Sequence, residues 1–187
     1  MNGSRDQVWV SSVLKDEDVP DVLTLCFSLR RVMTSYKIAA IVSPKVSKGL
    51  RDALRHGFDY VFVLEEDMNT AELEIGNFAK LFAFTLKSFD KIVMLSPTML
   101  VVQNCDELFD IAEDNDQPLF LTEAGSTSIL LVRPSLSVFK ELLDGIPKRN
   151  GDGVEGFLKK WIANQISNYK TIDEKYNQTG NLLYVFI

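Results

Sequence analysis

The strongest constraint on the fold is an alternation in the first third of the chain. "QVWVSSV" (Gln7–Val13), "YKIAAIVS" (Tyr36–Ser43) and "DYVFVLE" (Asp59–Glu65) are short apolar runs rich in β-branched and aromatic residues, and each reads as a buried strand. Between the first two, Asp21–Met33 places Val22, Leu25, Cys26, Leu29 and Val32 at near-helical spacing. Between the next two, "KVSKGLRDALRHG" (Lys45–Gly57) is amphipathic and closed by Gly57. A connection that long between neighbouring strands implies parallel pairing with right-handed crossovers. The expected fold class is therefore α/β, a Rossmann-like, mostly parallel mixed sheet with helices on both faces.

Beyond Glu65 the pattern becomes mixed. "GNFAKLFAFTLKS" (Gly76–Ser88) reads as a helix, "KIVML" (Lys91–Leu95) as a strand, and the acidic Asp106–Asp110 as helical. "PLFLTEA" (Pro118–Ala124) and "STSILLVRP" (Ser126–Pro134) read as two further strands. Helices are expected over Ser135–Leu143 and Val154–Ser167, the first opened by Pro134, and the chain closes on an apolar strand, Asn181–Ile187. No repeat or linker-like stretch interrupts this order, and 187 residues with 46% hydrophobic content suit one domain spanning residues 1–187. An apolar terminal strand needs a partner within the sheet or on another chain.

A net charge of −6 without a basic block argues against a nucleic-acid backbone as partner. No apolar run approaches the roughly 18 residues of a membrane span, and "MNGSRDQ" carries no hydrophobic signal core, so the expectation is a soluble, intracellular, cytoplasmic chain. Cys26 and Cys105 sit in apolar contexts at no metal-like spacing and read as reduced, buried thiols. The single histidine, His56, near the end of a helix reads as a surface residue, which leaves no histidine-based triad or histidine metal cluster.

Two further motifs are weak. "GDGVEG" (Gly151–Gly156) fits the spacing of a dinucleotide turn, but Pro147–Asn150 precedes it instead of the strand that would aim its glycines. Glu65, Glu66 and Asp67 follow a strand, where α/β proteins commonly bind ligands, and could hold a hard cation; an acidic solvated loop is the plainer reading.

Read in order, several segments resemble glycosyltransferase family eight, the glycogenin-like enzymes of GT-A fold. These are "VWVSSVLKDEDVPDVLTLCFSLRR", "IAAIVSPKVSKGLRDALRHGFDYVFVLE", "FAKLFAFTLKSFDKIVMLSPTMLVVQNCDELFD", "STSILLVRPSLSVFKELL", "DGVEGFLKKW" and "KYNQTGNLLYVF". The most specific parts are "LVVQNCDELFD" and the "RPS" junction, and the resemblance covers nearly the whole chain. It implies retaining transfer of a hexose from a UDP-sugar with Mn²⁺.

Carried over position by position, the resemblance keeps Ser11 and Asp16 in the nucleotide-binding segment and Lys80 near the sugar phosphate. The two metal-binding aspartates of the family's D-x-D motif, however, fall on Ser96 and Thr98, with Pro97 between them. The donor- or acceptor-binding "NSG" reads Ser126-Thr127-Ser128, and the "DQ" pair beside the reacting sugar reads Val154-Glu155. The tyrosine that stacks on uracil falls at about Asp18, and the chain reaches Ile187 before the family's histidine ligand, so it is shortened relative to the family domain. Tyr184 stands where glycogenin carries its self-glucosylated tyrosine, in an apolar run that suits packing.

Neutral hydroxyls are poor substitutes for the anionic oxygens that hold Mn²⁺ against a diphosphate. One lost electrostatic contact to a transition state costs on the order of 2.7–4 kcal/mol, and several are missing together. The expectation is a degenerate glycosyltransferase-like domain without cofactor, acting as a protein-binding or self-associating module. The alternative is a UDP-sugar transferase or binder that works without the usual metal site, or with Glu65, Glu66 or Asp67.

Overall fold

The computed structural model describes residues 6–65, 79–111, 119–122, 128–145, 156–158, 160–161 and 171–176. Among them, seven strands form one sheet: β1 (Gln7–Val13), β2 (Lys37–Val42), β3 (Tyr60–Val63), β4 (Lys91–Leu95), β5 (Leu119–Thr122), β6 (Ile129–Val132) and β7 (Thr171–Ile172). Their order is β3-β2-β1-β4-β6-β5-β7. β3, β2, β1 and β4 run parallel, β6 lies antiparallel between β4 and β5, and β7 is parallel to β5. The expected mixed, mostly parallel α/β sheet is borne out.

The two-residue period of the strands divides the apolar side chains between two faces. Val8, Val10, Ala39, Ile41, Ile92 and Met94 face one layer, formed by a 3-10 helix (Ala79–Thr85), helix α3 (Leu136–Gly145) and the helical residues 156–158. Trp9, Ile38, Ala40, Val42, Val93 and Leu95 face the other, formed by α1 (Val19–Arg31), α2 (Lys48–Gly57) and the segment 99–109. Burying each large apolar side chain stabilises the fold by about 1.5–3 kcal/mol. Covered on both faces, the central strands read as continuous apolar runs rather than alternating ones.

The element boundaries differ from expectation for local reasons. α1 begins at Val19 rather than Asp21, because a proline is tolerated in the first helical turn, where Pro20 lies. α2 begins at Lys48 rather than Lys45, since Ser43 to Ser47 form a turn that closes on the Ser43 carbonyl through Val46. The Gly76–Ser88 segment, within the described residues, is a 3-10 rather than an α-helix. Ala79, Leu81, Phe82, Ala83 and Phe84 are all buried, so the piece has no solvent-facing stripe from which an α period is set. Asp106–Phe109 is likewise a 3-10 helix. The pairing of Thr171 and Ile172 with β5 had no sequence signal, since two residues are too few to show a period. The Asn181–Ile187 strand lies outside the described residues, as does most of the Val154–Ser167 helix.

A chain of polar contacts ties the amino end of the sheet together. The Trp9 indole donates to Thr34 Oγ1 (2.8 Å), and Thr34 donates to Asp106 (2.6 Å). The Ser35 N–H donates to the other carboxylate oxygen of Asp106 (2.8 Å). Lys91, only 1% exposed at the start of β4, donates to the Phe109 carbonyl at 2.6 Å. The 96–109 segment therefore runs from the carboxyl end of β4 back to its amino end, pinned to α1 on the way by the Val101 N–H on Ser28 Oγ (3.0 Å).

Candidate functional site

In an open α/β sheet, ligands bind outside the carboxyl ends of the parallel strands. Here that margin is formed by the residues after β1, β2, β3 and β4. Ser11, near the end of β1, is 2% exposed and donates its hydroxyl to the Leu95 carbonyl at 2.8 Å, fastening β1 to the last residue of β4. Asp16 accepts the Ser47 N–H at 2.7 Å and so caps the amino end of α2 from another segment. Asp18 turns back on its own loop and accepts the N–H groups of Leu14 (2.9 Å) and Lys15 (3.2 Å). Both carboxylates therefore satisfy backbone donors at this margin.

Ser96, Pro97 and Thr98 leave the end of β4 as a tight turn. The Met99 N–H donates to the Ser96 carbonyl at 3.1 Å, which puts Pro97 at the second position of a β-turn, where its fixed φ is favoured. The Ser96 N–H donates to the Ser128 carbonyl at 2.8 Å, an extension of the antiparallel pairing of Leu95 with Ile129. Two of the positions to which the resemblance points, Ser96 and Ser128, are thus brought together by β4 and β6, with Thr98 exposed at the turn. Ser126, Thr127, Val154, Glu155 and Tyr184 lie outside the described residues.

Of the acidic group Glu65, Glu66 and Asp67, only Glu65 is among the described residues. Glu65 is exposed beyond β3, the far strand of the parallel set, with β2 and β1 between it and β4. At about 4.8 Å per strand, β3 lies roughly 14 Å from β4. Glu66 and Asp67 are outside the described residues. Lys80 is half-buried at the start of the 3-10 helix that leads back toward the amino end of β4. Among the described residues no three His, Cys, Asp or Glu side chains converge as metal ligands. The oxygen donors of the Ser96–Thr98 turn do not fit a Mn²⁺ ion, which calls for carboxylates or a comparably anionic set.

His56 is exposed on α2, and its Nδ1–H donates to the Asp52 carbonyl at 2.8 Å, so it stands apart from this margin. Both cysteines are free thiols. Cys26 is buried and donates to the Gly57 carbonyl (3.2 Å); burial pushes its pKa up to about 11, with the Arg30 charge opposing. Cys105 is half-buried rather than buried, because it lines an open groove. Its pKa is also pushed up to about 11, by burial first and then by the charges of Glu107 and Asp106.

This groove is the feature that the residue pattern did not announce. It encloses about 390 Å³ between the 99–105 segment, the start of β6 and a 3-10 helix at Glu174–Tyr176. The Tyr176 hydroxyl donates to Glu107 at 2.8 Å across it, and Lys175 Nζ lies 4.7 Å above the Tyr176 ring. The "DELF" start and the "KYN" segment were both visible, but their meeting across 69 positions of sequence separation has no local signal.

The sequence of human glycogenin-2 is 29% identical over 197 residues, covering 97% of this chain and 39% of the relative. Glycogenin-1 of Caenorhabditis elegans is 25% identical over 96% of this chain and 45% of its own length. The chain is glycogenin-like. Its GT-A fold is shared with the glycosyltransferase GlyE of Streptococcus pneumoniae, at a TM-score of 0.70 over 91% of this chain and 46% of that one, with 19% identity. No protein-family model matches. The glycogenin-like chain thus spans less than half the length of the two glycogenins compared. Among its described residues no helix is long and apolar enough to cross a membrane.

Proposed function

We propose that this glycogenin-like domain has lost metal-dependent sugar transfer and serves as a protein-binding module. The observation that carries the reading is the turn at Ser96-Pro97-Thr98. Where the resemblance expects two metal-binding carboxylates, the chain carries hydroxyls, and backbone bonds to Ser128 and Met99 close the turn. A β-turn fixed by proline replaces the pair of anionic oxygens that would neutralise a leaving diphosphate.

The margin around the turn supports the same reading. Asp16 and Asp18, the carboxylates at the end of β1, already accept backbone N–H groups, and the Ser11 hydroxyl is tied to Leu95. Each of these side chains has a backbone partner in place, Asp16 and Asp18 through one carboxylate oxygen each. Among the described residues, both faces of the sheet carry a packed apolar layer, which supports a retained scaffold.

The test is a turnover assay with UDP-glucose and Mn²⁺ on the full chain, following UDP release. Release at the rate of spontaneous hydrolysis is the expected result. Metal-dependent release well above that rate would sink the proposal.

A further inference from the structure

We infer that the groove beside residues 99–105 is covered in solution by the chain's own apolar segment "NLLYVFI", residues 181–187, which lie outside the described residues. This contact lies within the chain and stands whether or not the binding-module reading does. The groove has an apolar wall open to solvent, with Leu100 41% and Val102 63% exposed. Its two charged lining side chains, Glu107 and Lys175, offset each other, so the wall favours an occupant without charge. Residues 177–187 carry no charged side chain, and six consecutive apolar residues run from Leu182 to Ile187. Two apolar surfaces on one chain, each unfavourable to leave in water, are thus matched in chemistry.

Distance along the chain favours this seat over the other places an apolar strand could go. Tyr176 lines the groove, and only residues 177–180 separate it from the segment. Five extended steps of about 3.4 Å let Asn181 stand at most about 17 Å from Tyr176. The strand at the far side of the sheet, β3, is six strand positions from β7, about 29 Å at roughly 4.8 Å each, and is out of reach. β7 is within reach but offers only two residues to pair with. A short tether that spans its site acts as an effective concentration on the order of 1 mM. A segment that would bind at about 0.1 mM when free is then seated roughly nine-tenths of the time. A partner segment or a second copy at micromolar concentration competes poorly against it.

Cys105 is a built-in reporter, a free thiol that lines the groove. The test follows its alkylation by iodoacetamide in the full chain, with peptide mass spectrometry separating it from the buried Cys26. In an extended segment Leu183 and Phe186 point to opposite sides, so Leu183→Asp combined with Phe186→Asp places a charge on both. This variant is expected to raise the Cys105 rate about tenfold, the effect of losing a cover seated roughly nine-tenths of the time. Val102→Asp, on the groove wall, is expected to raise it as well. An unchanged Cys26 rate in both separates uncovering from unfolding. Leu182→Cys and Leu183→Cys, made separately, put a thiol on each side of the segment, and a short bis-maleimide is expected to join one of them to Cys105 within one chain. Equal Cys105 rates in the charged variants and wild type would overturn the inference. So would the absence of a link, or a link found only between two chains. Metal-dependent turnover of UDP-glucose would overturn the proposed function and leave these thiol rates untouched, so the two failures are distinguishable.

Discussion

The Ser96 amide donates to the Ser128 carbonyl at 2.8 Å, and the Ser96 carbonyl accepts the Met99 amide at 3.1 Å. With both backbone groups of Ser96 engaged, the end of β4 is a closed turn with Pro97 at its second position. Proline there limits the unfolded chain without cost to the folded one. Pro97→Ala is expected to lower stability by about 0.4–1 kcal/mol, measured by urea unfolding. No change would mean that the turn is held by its neighbours alone.

The Ser11 hydroxyl has a structural partner in the Leu95 carbonyl. Ser11→Ala is expected to cost about 1 kcal/mol in the same unfolding experiment, the usual worth of one buried hydrogen bond. A variant as stable as wild type would mean that the hydroxyl contributes nothing to holding β1 on β4.

Met33 closes α1 in the position glycine normally takes. The Thr34 N–H reaches the Leu29 carbonyl at 3.3 Å and the Met33 N–H the Arg30 carbonyl at 3.0 Å, the two bonds of a Schellman motif. Met33→Gly is expected to raise stability by about 1 kcal/mol, since a side chain in this conformation costs roughly that much. Thermal and urea unfolding check it, and destabilisation would contradict it.

Asp59 is the acidic anchor between α1 and β2. Burial acts to raise its pKa, but the N–H of Ile38 (2.8 Å), then Arg30 (2.6 Å) and Lys37 (3.2 Å), bring it below its ordinary 3.8. A lowered folded pKa contributes stability that is fully present above 3.8 and lost as pH falls through the folded value below it. Asp59→Asn is expected to cost about 1–2 kcal/mol at pH 7. Its deficit relative to wild type should shrink as the pH drops below 3.8, the ordinary value. A constant deficit across that range would remove Asp59 from the acid response.

The parallel half of the sheet was legible because β1 and β2 are buried on both faces and joined by a helix with one apolar stripe. Their apolar runs and the α1 spacing stand out in one dimension. The 3-10 helix at Ala79–Thr85 differs from the expected α-helix for the same reason in reverse: five of its seven residues are buried and apolar, and so short an apolar run carries no period to distinguish helix types. At the candidate site, attention falls on Ser96-Pro97-Thr98 because segments that resemble the family stand on both sides of it. The roles of Asp16, Asp18 and Ser11 were not legible, since their partners Ser47, Leu14 and Leu95 are set by where loops and strands meet. Tyr176 on Glu107 is the extreme case, a contact between residues 69 positions apart that lie on segments reached through β4, β6, β5 and β7.

The central claim, that the turn at Ser96-Pro97-Thr98 has replaced a metal site, is tested most directly by calorimetric titration of the full chain with UDP-glucose, with and without Mn²⁺. The prediction is that adding Mn²⁺ leaves the binding heat unchanged, whatever residual affinity the nucleotide has. A Mn²⁺-dependent gain of tenfold or more, about 1.4 kcal/mol, would contradict it.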